Sequence, residues 1–189
     1  KSMTALAILG LLPNQARSRG KIAFNGEDLL TQSENALCAI RGRDIGMIFQ
    51  EPMSALNPML GIGEQVAEVL RLHRKLSRAE SLRRARELLE RVGLPYDRCL
   101  LERHPHELSG GQRQRVAIAI AIALKPALLI ADEPTTALDV STQAQILELL
   151  RTLSREDGCA LILVSHDLAV VAEYADEVAV LQEGRIVEA

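Results

Sequence analysis

Residues 127–139 read Ala-Leu-Leu-Ile-Ala-Asp-Glu-Pro-Thr-Thr-Ala-Leu-Asp, and this stretch indicates the fold class. The apolar run Ala127–Ala131 follows a Lys-Pro pair and ends in two adjacent carboxylates, as does a strand that is buried on both faces of a sheet. A second run of the same kind spans Ala160–Val164, and a helix is predicted between them over about 142–153. Strands that alternate with helices predict an α/β fold with a parallel sheet.

The carboxylates Asp132 and Glu133 lie where a ligand is expected, because open α/β sheets bind ligands beyond the carboxyl ends of their strands. One carboxylate could hold Mg²⁺, and the next could polarise a water molecule. A solvated acidic loop after the strand would show the same two residues, so both interpretations stay open on this pair alone.

The composition is that of one ordinary globular domain. The chain has 189 residues, 48% of them hydrophobic and 25% charged, so it can bury a core without disulfides or metals. A net charge of −3 gives no global attraction to nucleic acid, and an aromatic content of 2% argues against stacking platforms for single strands. The cysteines Cys38, Cys99 and Cys159 have no metal-ligand spacing, and we expect reduced, buried thiols in a cytosolic protein.

The rest of the chain is predicted to add an N-terminal β element and a helical insertion. A helix over 2–12 is followed by a strand at 21–24 that runs into Asn25-Gly26, a strong hairpin signal. Residues 44–49 form a further strand, and apolar positions at helical spacing after it predict a helical subdomain of about 62–124. Three further elements are expected after residue 164: a helix at 168–174 and strands at 177–181 and 185–187.

Two short strings have the residue types of phosphate-binding sites. Leu108-Ser109-Gly110-Gly111-Gln112 precedes an apolar helix, and an N-cap serine with exposed N–H groups at a helix start would attract an anion. A plain helix cap would show the same string. Lys1-Ser2 opens an apolar helix in the way that a phosphate-binding loop ends, although the glycines of such a loop are not in the chain.

In their order along nearly the whole chain, these motifs resemble the ATP-binding cassette (ABC) ATPase family. The resemblance implies one P-loop NTPase domain over 1–189, with a mostly parallel sheet, an N-terminal antiparallel β element and an inserted helical subdomain. It also implies ATP and Mg²⁺ as ligands. Three positions are implied to act on phosphate and Mg²⁺: Lys1 and Ser2 as the end of the Walker A loop, and Asp132 as the Walker B carboxylate near Mg²⁺. Gln50 is implied as the Q-loop glutamine for catalysis and Mg²⁺, Glu133 as the general base, and His166 as the switch histidine. The implied nucleotide-binding residues are Ser109, Gly110, Gly111 and Gln112 of the signature motif and Asp139 of the D-loop.

Residues 47–58, Met-Ile-Phe-Gln-Glu-Pro-Met-Ser-Ala-Leu-Asn-Pro, and residues 132–140 resemble more narrowly the oligopeptide, dipeptide and nickel importers of this family. This resemblance implies an ATP-hydrolysing subunit that powers the import of peptides or a similar small solute. It would lie at the cytoplasmic face of the cell membrane as a peripheral protein. The alternative is an ABC ATPase outside transport, in DNA repair or translation.

The importer resemblance also implies partners. A second ABC ATPase subunit, identical or different, would pair head-to-tail with this one and enclose two ATP molecules. Transmembrane permease subunits would face the residues after Gln50 and the helical insertion, and a solute-binding protein would act indirectly. No nucleic acid is expected among the partners.

The chain departs from the family pattern at both ends. It begins with Lys1 rather than Met, and it lacks the first strand, the loop glycines and the aromatic residue that stacks on adenine. Relatives of the peptide branch continue past Ala189. We therefore expect a fragment, and residues 1–189 alone are expected to hydrolyse ATP very poorly because only Lys1 and Ser2 remain of the phosphate loop.

Overall fold

The structure is a computed structural model, and it describes residues 1–95, 97 and 99–189. Its strands are β1 (Ala23–Phe24), β2 (Glu27–Asp28), β3 (Ile45–Ile48), β4 (Leu128–Asp132), β5 (Ala160–Val164), β6 (Val180–Gln182) and β7 (Arg185–Glu188). Its α-helices are α1 (Ser2–Ile8), α2 (Glu34–Ile40), α3 (Pro52–Ala55), α4 (Ile62–Arg74), α5 (Arg78–Arg91), α6 (Gly110–Ile122), α7 (Val140–Asp157) and α8 (Leu168–Tyr174). Short 3₁₀ helices span Leu29–Thr31, Leu100–Glu102 and Pro105–Glu107. Tyr96 and Arg98 of the predicted helical subdomain, and the side chains of Met53 and Ser54 in the importer-like string, lie outside the described residues.

A parallel sheet in the order β3-β4-β5 forms the centre of the molecule, which confirms the predicted α/β class. Ile45 lies opposite Leu128 on one side of β4, and Asp132 lies opposite Val164 on the other. Because all three strands run in the same direction, their carboxyl ends meet at one edge of the sheet.

Two antiparallel hairpins accompany this sheet. β1 pairs with β2 through Asn25 and Gly26, whose φ angles of 49° and 85° are the positive values that a tight two-residue hairpin turn needs. This confirms the predicted N-terminal antiparallel element. β6 pairs with β7 near the end of the chain.

Successive residues of β4 are buried on opposite faces of the sheet. Leu129 belongs to an apolar cluster with α6 and α7, which includes Ile118 and Ile146. Ile130, the next residue, belongs to a second cluster with α1, which includes Leu9. The sheet is therefore covered on both faces, and this explains why β4 is an unbroken apolar run.

Every described element between β3 and β4 is helical. The described helices of this interval are α3, α4, α5, two short 3₁₀ helices and α6. Seven of the thirteen residues of α6 are buried, as its apolar sequence predicts. The buried cluster that contains Val66 and Leu89 of these helices continues without a break to Leu129 in β4. Whether residues 62–124 behave as a separate subdomain stays a prediction.

Two predictions about burial are wrong. β5 has the predicted bounds, but Ala160 and Ile162 are exposed because β5 lies at an edge of the described three-stranded sheet. Only Cys159 is a buried thiol, whereas Cys38 and Cys99 are exposed, although all three cysteines are free. Cys38 lies on the outer face of α2, and Cys99 lies in the turn before a 3₁₀ helix.

Several predicted element boundaries also need correction. α1 ends at Ile8 rather than residue 12 because Gly10, with a φ of 64°, turns the chain before Pro13 is reached. α7 runs from residue 140 to 157, beyond the predicted 142–153, since Asp139 caps its start. β6 begins at Val180 rather than residue 177. In the described part of the chain, no helix has both the length and the apolar character needed to cross a membrane.

Candidate active site

Polar residues follow each strand of the central sheet at its carboxyl edge. Gln50 follows β3 closely, Asp132 ends β4 with Glu133 directly after it, and His166 follows β5 by two residues. The register of the parallel strands brings these positions together, as the sequence predicts from the carboxyl-end rule.

α1 adds two more residues to this edge. The helix packs on β4 through Ala5 and Leu9, so its first residue lies beside the end of that strand. The Ser2 hydroxyl donates a hydrogen bond of 3.0 Å to Oδ1 of Asp132, whose side chain is buried. The Lys1 ammonium donates a bond of 2.6 Å to the carbonyl oxygen of Ser165 after β5. These contacts place a cation, a hydroxyl and a carboxylate side by side.

The carboxylate of Glu133 joins the ends of all three strands. Its Oε2 accepts hydrogen bonds of 3.1 Å from Nε2 of Gln50 and 3.1 Å from the hydroxyl of Thr136. Nδ1 of His166 lies 3.4 Å from the same oxygen, and a protonated imidazole there would form an ion pair. The Glu133 side chain is 22% exposed and that of His166 is 73% exposed, so both can reach a ligand in solution.

The backbone of Glu133 is held in an uncommon conformation. Its φ of 48° lies in the left-handed region, which costs a residue with a side chain about 1 kcal/mol. The Glu133 N–H donates a hydrogen bond of 3.0 Å to the carbonyl oxygen of Val164 in β5, and this bond fixes the turn. The strained turn directs the carboxylate away from β4 and towards Gln50 and His166.

A cavity of about 210 Å³ opens beside this cluster. Its lining includes the polar side chains of Glu133 and His166 and the apolar side chains of Leu147, Leu163 and Val170. The cavity makes one side of the Glu133 carboxylate accessible to small molecules such as water.

The signature residues lie at the start of α6, and their side chains are engaged locally. The Ser109 hydroxyl accepts a hydrogen bond of 3.3 Å from the Gln112 N–H, and the Gln112 side chain accepts one of 2.9 Å from the Ser109 N–H. This is a capping box, so the helix-cap interpretation of the string holds within the chain. Among the described residues, no hydrogen bond or ion pair joins residues 109–112 to the cluster around Glu133.

The second glycine of the signature has a packing role. A Cβ atom at Gly111 would lie 2.6 Å from Cγ2 of Thr142, so only glycine lets α6 approach α7 this closely. A Cβ atom at Gly110 would lie 3.4 Å from Leu138, which is ordinary contact. The backbone of residue 110 is therefore the more open of the two.

Asp139 is the N-cap of α7 rather than a member of the cluster. Its carboxylate accepts bonds of 2.9 Å and 2.7 Å from the N–H and hydroxyl of Thr142, and one of 2.7 Å from the Ser141 hydroxyl. These bonds, the Thr142 N–H first among them, lower the pKa of Asp139 from 3.8 to about 2.

Sequence reasoning missed two members of the site. Thr136 contributes its hydroxyl to Glu133, and a threonine three residues after the carboxylate is the only sequence signal that could have found it. Ser165 contributes its backbone carbonyl to Lys1, and the sequence could not indicate this contact because every residue type has such a carbonyl.

The fold and this cluster define a nucleotide-binding cassette, and the family comparison agrees. A family model described as "ABC transporter" matches residues 1–136, so the chain belongs to this family. The chain is 55% identical over its whole length to the peptidoglycan transport ATP-binding protein YejF of Agrobacterium fabrum, of which it covers 35%. It is 52% identical to the oligopeptide transport ATP-binding protein OppD of Bacillus subtilis, of which it covers 53%.

Solved structures give the same fold. The dimeric post-hydrolysis structure of the ATP-binding cassette MJ0796, bound to ADP and Pi, superposes with a TM-score of 0.83 at 32% sequence identity. The match covers 99% of this chain and 78% of that one. By contrast, the chain spans only about a third to three fifths of the curated relatives that it matches.

Proposed function

We propose that this chain belongs to the ATP-binding, ATP-hydrolysing subunit of an ABC importer for peptides or a similar small solute. The observation that carries the proposal is the meeting of Gln50 and His166 on one oxygen of Glu133, beside the Ser2–Asp132 pair. A solvated acidic loop would not gather residues that follow two other strands at one carboxylate and pair its neighbour Asp132 with Ser2 of α1.

Glu133 is proposed as the general base. A carboxylate held by the amide of Gln50 and the hydroxyl of Thr136 has a fixed orientation, so it can align a water molecule and take its proton as the water attacks the γ-phosphate. His166 lies beside this carboxylate and is largely exposed, so it can donate a hydrogen bond to the γ-phosphate oxygens.

Lys1 and Ser2 are proposed to bind the phosphates of ATP beside the Glu133 cluster. The Lys1 ammonium offers positive charge where negative charge develops during phosphoryl transfer. Its bond to the Ser165 carbonyl, at the end of β5, holds it near His166.

The donor set also fits Mg²⁺. The Ser2 hydroxyl and the buried Asp132 carboxylate are oxygen donors that lie 3.0 Å apart, and Gln50 can add its amide oxygen. Bound Mg²⁺ prefers oxygen ligands, keeps several waters and takes phosphate oxygens, so few protein ligands are needed. When bound, it neutralises charge on the phosphates of ATP.

A second copy of such a subunit is proposed to complete each site. In the described part of the chain, no hydrogen bond or ion pair joins the start of α6 to the Glu133 cluster, so we infer that one chain supplies two half-sites. The N-terminus of a thirteen-residue helix favours an anion, which suits the γ-phosphate held by a partner. The dimeric MJ0796 cassette provides the structural precedent for a pair.

The transport role rests on the relatives. Similar curated proteins are named for peptidoglycan, oligopeptide or peptide transport, which favours an importer over DNA repair or translation. Permease subunits in the membrane, and an indirect solute-binding protein, are the proposed further partners. The subunit would then lie at the cytoplasmic face of the cell membrane.

The test is an ATPase assay on the complete purified protein, with Mg²⁺ and with EDTA, and then with its permease in vesicles that contain candidate peptides. Hydrolysis that requires Mg²⁺ and is stimulated by a transported peptide is the expected result. Absence of both binding and hydrolysis of ATP would refute the proposal.

A further inference from the structure

Arg41, the residue after α2, makes a set of charged hydrogen bonds that the proposed site does not use directly. Its Nε donates a bond of 2.8 Å to the carbonyl oxygen of Leu9, and its Nη2 donates one of 3.4 Å to that of Gly10. The same guanidinium forms two hydrogen bonds with the carboxylate of Glu34. Its Nη1 also lies 3.5 Å from Sγ of Cys38, and the Arg41 side chain is only 20% exposed, so the charge is largely committed to these five acceptors.

The two carbonyls lie directly after the last turn of α1, and Glu34 lies at the start of α2. Leu9 is the C-cap of α1 and Gly10 follows it, and the guanidinium donates to both of these carbonyls where the helix ends. α1 and α2 also approach closely here, because a Cβ atom at Gly10 would lie 2.7 Å from Cδ1 of Leu37 and 3.3 Å from Nη2 of Arg41. Arg41 therefore fixes the C-terminal end of α1 to α2.

The other end of α1 carries Lys1 and Ser2. The helix has seven residues, a length of about 10 Å, so a tilt at its C-terminal end moves the Ser2 hydroxyl relative to Asp132. The backbone of Arg41 also bridges to Ile45, the first residue of β3, which leads to Gln50. One residue thus joins the helix that bears Ser2 to the strand that precedes Gln50.

We propose that Arg41 is a positioning residue of the ATP site: it sets α1 relative to β3, and it thereby aligns Lys1 and Ser2 with the phosphates. The inference rests on the proposed ATP-binding function. It is distinct from a role in overall stability, because it predicts a change in nucleotide affinity under conditions where the variant is fully folded.

The experiment compares Arg41→Ala with Arg43→Ala in the complete protein. Arg43 is a matched control, since it lies two residues away and is half exposed. In the described part of the chain, its guanidinium bonds only the carboxylate of Asp44. ATP affinity is measured by calorimetry and ATPase kinetics at a temperature where circular dichroism shows both variants folded. Hydrogen exchange of the α1 amides is measured in parallel without nucleotide.

The expected result is a rise of about tenfold in the Kd and KM for ATP in Arg41→Ala, together with faster exchange in α1, whereas Arg43→Ala stays within about twofold of the wild type. Arg41→Lys should recover part of the affinity, because an ammonium can bond one carbonyl but cannot bond both carbonyls and the Glu34 carboxylate at once, as the planar guanidinium does. If Arg41→Ala does not fold, Glu34→Gln replaces it: it keeps the carbonyl bonds and weakens the restraint on the guanidinium, so a smaller rise in Kd is expected.

Unchanged Kd, KM and α1 exchange in a folded Arg41→Ala or Glu34→Gln protein would overturn the inference. A lower melting temperature with unchanged affinity would also overturn it, since it would show a role in stability alone. If the wild type itself neither binds nor hydrolyses ATP, the proposed function fails, and unchanged α1 exchange would then refute the positioning of the helix separately.

Discussion

Replacement of Gly111 by alanine tests the close approach of α6 and α7. The added Cβ would lie 2.6 Å from Cγ2 of Thr142, about 1 Å inside ordinary contact. Thr142 cannot turn its methyl group away without loss of the 2.7 Å bond between its hydroxyl and the Asp139 carboxylate. The strain must therefore be relieved by a shift of one helix against the other.

The magnitude follows from two opposing effects. A forced extra methyl group in a packed region costs about 1–3 kcal/mol, while alanine in place of glycine in a helix gains at most about 1 kcal/mol. We expect Gly111→Ala to lower the free energy of unfolding by about 1–2 kcal/mol. Gly110→Ala, whose Cβ would meet Leu138 at 3.4 Å, should be neutral or slightly stabilising.

The assay is denaturant unfolding of the wild type, both glycine variants, Thr142→Ser and the double variant Gly111→Ala/Thr142→Ser. Serine keeps the hydroxyl bond to Asp139 and removes Cγ2, so the double variant should regain most of the stability that Gly111→Ala loses. If Gly111→Ala is as stable as the wild type, or if Thr142→Ser does not rescue it, the packing account of this glycine is wrong.

Two further predictions follow from the loops around the site. Ser109→Arg should leave ATP affinity of the isolated subunit within about threefold but abolish cooperative hydrolysis, because it places bulk and charge where a partner's ATP would lie; equal loss of affinity in the isolated subunit would contradict a shared site. Asp139 has a pKa of about 2, below its ordinary 3.8, so its ionised form stabilises the folded protein above about pH 4 and this contribution is lost as the pH falls towards 2. Asp139→Ala should therefore lower the melting temperature at pH 7 and have little effect near pH 2, and a difference that is constant with pH would refute the capping role.

The sequence predicts the centre of the fold well because the decisive signals are local. The apolar run of β4 and the Asn25-Gly26 turn depend on neighbours along the chain, and both are confirmed. The exposure of β5 could not be predicted, since it depends on which strands lie beside it in the sheet. The early end of α1 follows from a glycine at positive φ, which the run of helix-forming residues conceals.

In the candidate site, too, some features could be predicted from the sequence and others depend on the folded backbone. Residues at strand ends, such as Gln50, Glu133 and His166, are brought together as the order of strands requires. The contact between Thr136 and Glu133 depends on the positive φ of Glu133. The sequence contains no signal for this conformation, because it is disfavoured for residues other than glycine and a glutamate is not expected to adopt it. The capping box of Ser109 and Gln112 depends only on neighbouring residues, and the sequence predicts a helix cap there as one of two interpretations, the other being an anion site.

The central claim is that Glu133, held by Gln50 and Thr136 and faced by His166, is the base that activates water for ATP hydrolysis. The most direct measurement is single-turnover hydrolysis of ATP by Glu133→Gln in the complete protein, with ATP affinity measured on the same preparation. Glutamine keeps the size and the hydrogen-bonding reach of glutamate but cannot take a proton, so the rate should fall by about a hundredfold or more while the Kd for ATP stays within about threefold. A hydrolysis rate equal to that of the wild type would contradict the account.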